Sequence, residues 1–323
     1  QYGPSSGYLP LREKLAQRLT GQGIACTAEN ILMVSGSQQG LDLAGKVFLE
    51  PGDLVVCENP TYLAALTVFR SYECGLLPIE TDDDGMVPED LERKLAANPK
   101  ARLMYIIPSF QNPTGRTWSL ERRRKILEIA QRYELPILED NPYGELRYEG
   151  QTIPTLKSMD TTGVVTYMGS FSKVLSPGIR LGWMLASREL IEKYESAKEC
   201  ADLQASTLTQ MVVDTYLAHN DLDENIRRLN ELYRSRRDKM LALLTAEFPE
   251  GSRWTHPCGG LFLWATLPEG IDTDALLPIT VAHKAAYIPG RAFFADGDEC
   301  RCLRLNFSNA SEAQMEQGVA IMG

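Results

Sequence analysis

The 323-residue sequence predicts a three-layer α/β protein with a mostly parallel sheet, followed by a smaller α+β part. Three observations carry that prediction. Short apolar runs alternate with helical patterns through the first two thirds of the chain. Polar clusters come directly after those runs. Beyond about Glu189 the alternation gives way to long charged helical stretches.

The strand candidates, in order, are 31–34, 54–57, 103–107, 136–138, 164–168 and 183–186. Between several of them apolar residues recur at helical spacing, as in Leu41, Leu43, Ala44, Val47 and Phe48, or Ile126, Leu127, Ile129, Ala130 and Tyr133. Strands joined by helices imply parallel neighbours with both sheet faces covered. Past Glu189, helical stretches are expected over 189–219 and 222–247, broken at His219-Asn220-Asp221. A strand within 260–267, a helix near 273–286 and a strand at 302–307 complete the chain. The expected division is a large domain over 26–220 and a small one over 221–323 joined by 1–25.

Composition narrows the function. The chain is 44% hydrophobic and 24% charged, as a globular protein with a sizeable core is. It has 33 Lys and Arg against 43 Asp and Glu, a net charge of −10 with no basic stripe, so no nucleic-acid partner is expected. No apolar run is long enough for a bilayer and no leader opens the chain, so no membrane partner is expected either. The densest basic cluster, Arg122 to Lys125, reads as a solvated helix face. Seven cysteines without CxxC spacing argue against a disulfide framework or a zinc knuckle, and reduced thiols imply the cytoplasm. Among three histidines, His219, His256 and His283, no two have metal-ligand spacing, and no metal is expected.

Parallel sheets bind ligands at the carboxyl ends of their strands. Four polar loops come after four strand candidates: 35–40, 108–115, 139–143 and 169–173. In the last, Lys173 stands after Ser170 and Ser172 and precedes Arg180. Hydroxyls and a guanidinium suit a phosphate dianion, and a lysine beside a phosphate is what Schiff-base chemistry with pyridoxal 5'-phosphate (PLP) requires. The other loops supply what that cofactor needs. Asp140 offers a carboxylate for the pyridine nitrogen, Asn112 and Tyr143 offer donors for the phenolic oxygen, and Tyr62 offers a flat partner for the ring. Gly36, Ser37 and Gln38 open a helix whose free N–H groups suit the phosphate. Singly these are weak, since Asn-Pro-Thr-Gly is equally a plain turn and Asp140 equally a helix cap. Their joint order after successive strands is the signal.

With these residues the chain resembles the fold-type I PLP-dependent aminotransferases of the class I/II group. The likeness is greatest to the branch with α-aminoadipate and broad-specificity aromatic aminotransferases, which also includes the C-terminal half of MocR-type regulators. The matching motifs are SGSQQGLDL (35–43), ENPTY (58–62), PSFQNPTGRT (108–117), LEDNPYGELRY (138–148), GSFSKVLSPGIRLGW (169–183), CGGLFLW (258–264) and LRLNFS (303–308). The resemblance implies transfer of an amino group between an α-amino acid and a 2-oxo acid, with 2-oxoglutarate and glutamate as one pair, through a Lys173 Schiff base. It assigns catalytic roles to Lys173, Asp140 and Tyr143, and the phosphate to Ser37, Gln38, Ser170, Ser172 and Arg180. It gives the substrate α-carboxylate to Arg304, beside Asn112; by itself Arg304 reads as a surface strand arginine. It also implies a homodimer in which Tyr2 reaches the partner's phosphate. Several dozen residues before Gln1 are expected from the family, and the family's second acidic residue after the aspartate is Asn141 here. A ligand-sensing module of a MocR-type regulator and a PLP enzyme of another reaction type, such as a β-lyase, are the competing readings.

Overall fold

The computed structural model describes residues 2–297 and 300–323. Its main sheet is built from β1 (Ile31–Val34), β2 (Leu54–Glu58) and β3 (Gly75–Ile79). After a short ribbon, β4 (Thr81–Asp82) and β5 (Gly85–Met86), it continues with β6 (Ala101–Ile106), β7 (Ile137–Asp140), β8 (Val165–Ser170) and β9 (Gly182–Leu185). The order across the sheet is β1-β9-β8-β7-β6-β2-β3. All neighbours are parallel except at β9, which runs antiparallel to both β1 and β8. The expectation of mostly parallel strands is met, and β9 is the strand that departs from it.

β1, β7, β8 and β9 are buried at every residue, which is why they read as continuous apolar runs rather than alternating ones. Helices Ser37–Phe48, Leu63–Ser71 and Arg188–Asp202 contribute to one core with the sheet, and Pro88–Ala97 and Leu120–Arg132 contribute to another. β3 gave no sequence signal because it is an edge strand carrying Pro78, where only Ile79 is fully buried.

A second, antiparallel sheet has the order β10-β11-β13-β12, from β10 (Arg253–Trp254), β11 (Phe262–Thr266), β12 (Ile288–Pro289) and β13 (Cys302–Asn306). Arg304 pairs with Trp264 across β11–β13.

Two expectations need correction. The helical stretch 189–219 is broken at Leu203, which has φ 62° and ψ −54°, between Arg188–Asp202 and Thr207–His219. Asp202, the last helical residue before the break, pairs with the buried Lys198 and accepts from Gln39, and Ser206 caps the new helix. Nor is the basic cluster a solvated face throughout. Arg123 is fully buried and donates to the carbonyls of Trp118, Pro154 and Pro108 and to Ser109 Oγ. No described helix is long and apolar enough to cross a membrane.

Candidate active site

The strand order brings β8, β7, β6 and β2 side by side, so their carboxyl ends open onto one place. A cavity of about 150 Å³ lies there, lined by Ser37, Gln38, Tyr62, Asn112, Asp140 and Tyr143 together with Ser170, Ser172, Lys173 and Arg180. Ten of the residues singled out in the sequence thus share one cavity. Gly36 stands beside it, and Arg304 reaches it through Asn112. Tyr2 is 83% exposed and outside it.

β7 explains how two consecutive acids are both buried. Successive strand residues face opposite sides of a sheet. Glu139 turns away from the cavity and accepts the N–H groups of Leu156 and Lys157 at a helix start. Asp140 turns into it. One oxygen of Asp140 accepts from the Tyr105 hydroxyl at 2.9 Å; the other is buried with no donor among the described residues. Burial pushes the Asp140 pKa up to about 7 although Tyr105 pulls it down. Tyr105 was missed in the sequence because it lies inside an apolar strand. Its signal is the register, since Tyr105 pairs with Leu138, two residues before Asp140 on the same face.

Glycines let the loop after β1 come close. A Cβ on Gly182 would lie 2.8 Å from Gly169 O and 3.1 Å from Ser37 N, so the helix N-terminus can approach β8 and β9 only over a glycine. Gly36, at φ 81°, leaves room for the Arg180 guanidinium, whose Nη2 donates to Ser35 O at 3.3 Å. Tyr62 Oη donates to Gln38 Oε1 at 3.5 Å, joining two of the loops.

Arg304 Nη1 donates to Asn112 Oδ1 at 2.8 Å, and its guanidinium lies over the rings of Phe262 and Phe293, 4.2 and 5.1 Å from their centroids. Its Nε has no acceptor among the described residues. Burial lowers the Lys173 pKa, with Arg304 and Arg180 adding to the effect. Tyr143 is buried, edge-to-face with Phe262, and its pKa is raised mainly by burial. The cavity therefore combines an amine eased toward neutrality, a buried carboxylate oxygen lacking a donor, and guanidinium groups suited to oxyanions.

The family model "Aminotransferase class I and II" matches residues 1–321. The chain belongs to this family. The class I and II aminotransferases use PLP, and this chain is one of these PLP-dependent enzymes, moving amino groups of amino acids. Aromatic-amino-acid aminotransferase 1 of Thermococcus litoralis is 45% identical, across 99% of this chain and 78% of that protein. The crystal structure of Pyrococcus horikoshii kynurenine aminotransferase, in complex with PMP, superposes with a TM-score of 0.96 at 43% identity, covering 100% of this chain and 81% of that one. That of α-aminoadipate aminotransferase from Thermus thermophilus, complexed with N-(5'-phosphopyridoxyl)-L-leucine, gives 0.94 at 36%, covering 100% and 82%. The uncharacterized HTH-type transcriptional regulator YisV of Bacillus subtilis is also similar, 31% identical over 98% of this chain and 65% of the regulator. The fold-type I expectation agrees with these neighbours.

Proposed function

We propose that this aminotransferase exchanges an amino group between an aromatic α-amino acid and 2-oxoglutarate, with Lys173 bonded to PLP in the resting enzyme. The observation that carries the reading is the Asp140 oxygen, buried and lacking a donor among the described residues at the wall of a cavity that also holds Lys173. A protonated pyridine nitrogen is the cationic donor that oxygen lacks. The Ser170 and Ser172 hydroxyls, the Arg180 guanidinium and the N–H groups of Gly36, Ser37 and Gln38 suit a phosphate. Asn112 and Tyr143 suit the phenolic oxygen, and Tyr62 the ring face. The residues present therefore fit the family's cofactor. The aromatic preference is supported by the relatives named for aromatic amino acids and kynurenine.

PLP, when bound, supplies an electron sink for the bond broken at the substrate Cα. The protein supplies the rest. Arg304, with its Nε still open to an acceptor, holds the substrate α-carboxylate, and Asn112 fixes the angle of that guanidinium. The Lys173 amine, eased toward neutrality by burial and two guanidinium neighbours, takes the Cα proton and would return it to the cofactor carbon on the far side of the amino nitrogen. Asp140 stays ionised opposite a cation and holds a proton on the ring nitrogen. In this reading the enzyme is a cytoplasmic homodimer, and Tyr2 reaches the partner's phosphate site.

An absorbance spectrum of the PLP-loaded protein, recorded with aromatic, dicarboxylic and branched amino acids and no 2-oxo acid, tests this. Loss of the resting cofactor band with release of an aromatic 2-oxo acid is the expected result. Conversion only by dicarboxylic substrates overturns the aromatic assignment. A band that shifts without conversion favours the sensor role suggested by the HTH-type relatives.

A further inference from the structure

Glu58 closes β2 and is 1% exposed. Its Oε2 accepts the Ile107 backbone N–H at 2.9 Å and its Oε1 accepts the Trp118 indole N–H at 3.1 Å. Burial pushes its pKa up to about 8, against the Ile107 N–H, the Trp118 indole and the Gln111 amide, with no cation among them. A buried carboxyl without a cationic partner is costly, so its place in the fold calls for a reason.

The strand pairing supplies one. β2 and β6 pair as far as Cys57 and Tyr105. Beyond that the chains part, and the Ile107 N–H finds the Glu58 side chain in place of a ladder partner. From Glu58 one chain runs through Asn59, Pro60 and Thr61 to Tyr62. From Ile107, itself in the cavity wall, the other runs through 108–111 to Asn112. Trp118, fully buried, ends that second loop. Gln111 adds a second tie between the loops, donating to Pro60 O at 2.8 Å while its own oxygen accepts from the Thr114 N–H and hydroxyl.

We propose that Glu58 is a positioning residue that sets the separation of the Tyr62 and Asn112 walls of the cofactor cavity; the proposal rests on the reading of that cavity as the PLP site. Above pH 8, where the comparison below is made, Glu58 is a carboxylate and suits the task because both oxygens accept, one for each N–H. A glutamine offers one oxygen and one NH2 group, so it sets a donor against a donor at either Ile107 or Trp118. The walls then move, although Glu58 itself does not line the cavity.

The experiment compares wild type, Glu58→Gln, Trp118→Phe and the double variant. For each we measure the dissociation constant for PLP, the visible band of the bound cofactor and the melting of the PLP-free protein. Glu58→Gln is expected to lose about tenfold in PLP affinity and to shift the band, the size of one mismatched buried donor. Adding Trp118→Phe removes the indole N–H, so the glutamine oxygen can serve Ile107 alone, and affinity should return to that of Trp118→Phe. Wild-type affinity and band in Glu58→Gln overturn the proposal, as does a double variant that loses the product of the two single losses. Should Glu58→Gln fail to fold, Trp118→Phe and Gln111→Ala each remove one tie between the same loops. Each is then expected to lose PLP affinity whatever it does to the melt of the PLP-free protein, and full affinity in both overturns the proposal. Wild-type protein that binds no PLP at all removes the parent reading instead, an outcome distinct from intact binding in Glu58→Gln.

Discussion

Tyr105 donates its hydroxyl to one oxygen of Asp140 at 2.9 Å and leaves the other, buried oxygen without a donor among the described residues. One bond does not offset the loss of water around a carboxylate, and the Asp140 pKa rises to about 7. An unfolded aspartate titrates near 4. The folded PLP-free protein therefore holds this proton more tightly than the unfolded chain does. The resulting stability is present in full below about pH 4 and is lost as pH rises to about 7.

Asp140→Asn removes the charge and keeps the shape. In PLP-free protein the variant is expected to melt higher than wild type at pH 8, with the advantage fading toward pH 5. The same change should weaken PLP binding, because an amide cannot balance a pyridinium charge. Thermal melts at the two pH values check the first part; an equal difference at both would contradict the burial argument. Tyr105→Phe should widen the pH 8 difference by deleting the remaining donor, an effect of about 1 kcal/mol.

Lys173 faces the same cavity with its pKa lowered by burial and by Arg304 and Arg180. Borohydride treatment of the PLP-loaded protein should fix the cofactor to the peptide containing Lys173, read by mass. Lys173→Ala should give no fixed cofactor and no transamination, while PLP still binds loosely through the phosphate contacts. Turnover by that variant at the wild-type rate would remove Lys173 from the mechanism.

Much of this arrangement was legible in the sequence, for a physical reason. Buried parallel strands leave unbroken apolar runs, and the run at 31–34 coincides with β1 at both ends. A loop that leaves such a run must start at a strand end, so the strand end at Asp140 and the loops bearing Lys173 and Asn112 group together on sequence grounds alone. The features that stayed hidden depend on facing and register. Tyr105 sits inside an apolar run and Glu58 directly after one, and only the pairing of β6 with β7 and β2 shows where their polar ends go. Arg123 looked solvated because its neighbours are charged, yet its acceptors are backbone carbonyls that no pattern displays. No Gly or Pro marks the break at Leu203, whose φ of 62° is one that side-chain-bearing residues rarely adopt, so the helical pattern reads on through it.

Arg304 is held by Asn112 Oδ1 and between two phenyl rings. Arg304→Lys keeps the charge and loses the planar fork that meets a carboxylate with two bonds. The KM for the amino acid is expected to rise by at least tenfold, about 1.4 kcal/mol, with PLP affinity unchanged. Steady-state kinetics beside a PLP titration separate the two, and a loss confined to PLP binding would assign Arg304 to the cofactor.

Gly182 tests the phosphate cradle from behind. The atoms a Cβ would meet are backbone: Gly169 O at 2.8 Å, Ser37 N at 3.1 Å and Gly36 C at 3.2 Å. Backbone cannot swing aside as a side-chain tip can, so Gly182→Ala must push the start of the Ser37–Phe48 helix away from β8. The N–H groups of Ser37 and Gln38 then move off the position they share with Ser170 and Arg180. Gly36→Ala instead meets the tip of Arg180, a side chain that can yield, although its φ of 81° adds strain. Competition by inorganic phosphate against PLP reads the cradle directly. Gly182→Ala should weaken both ligands by a similar factor, since the phosphate is what they share. A variant that loses PLP but keeps its phosphate affinity would place the cradle elsewhere.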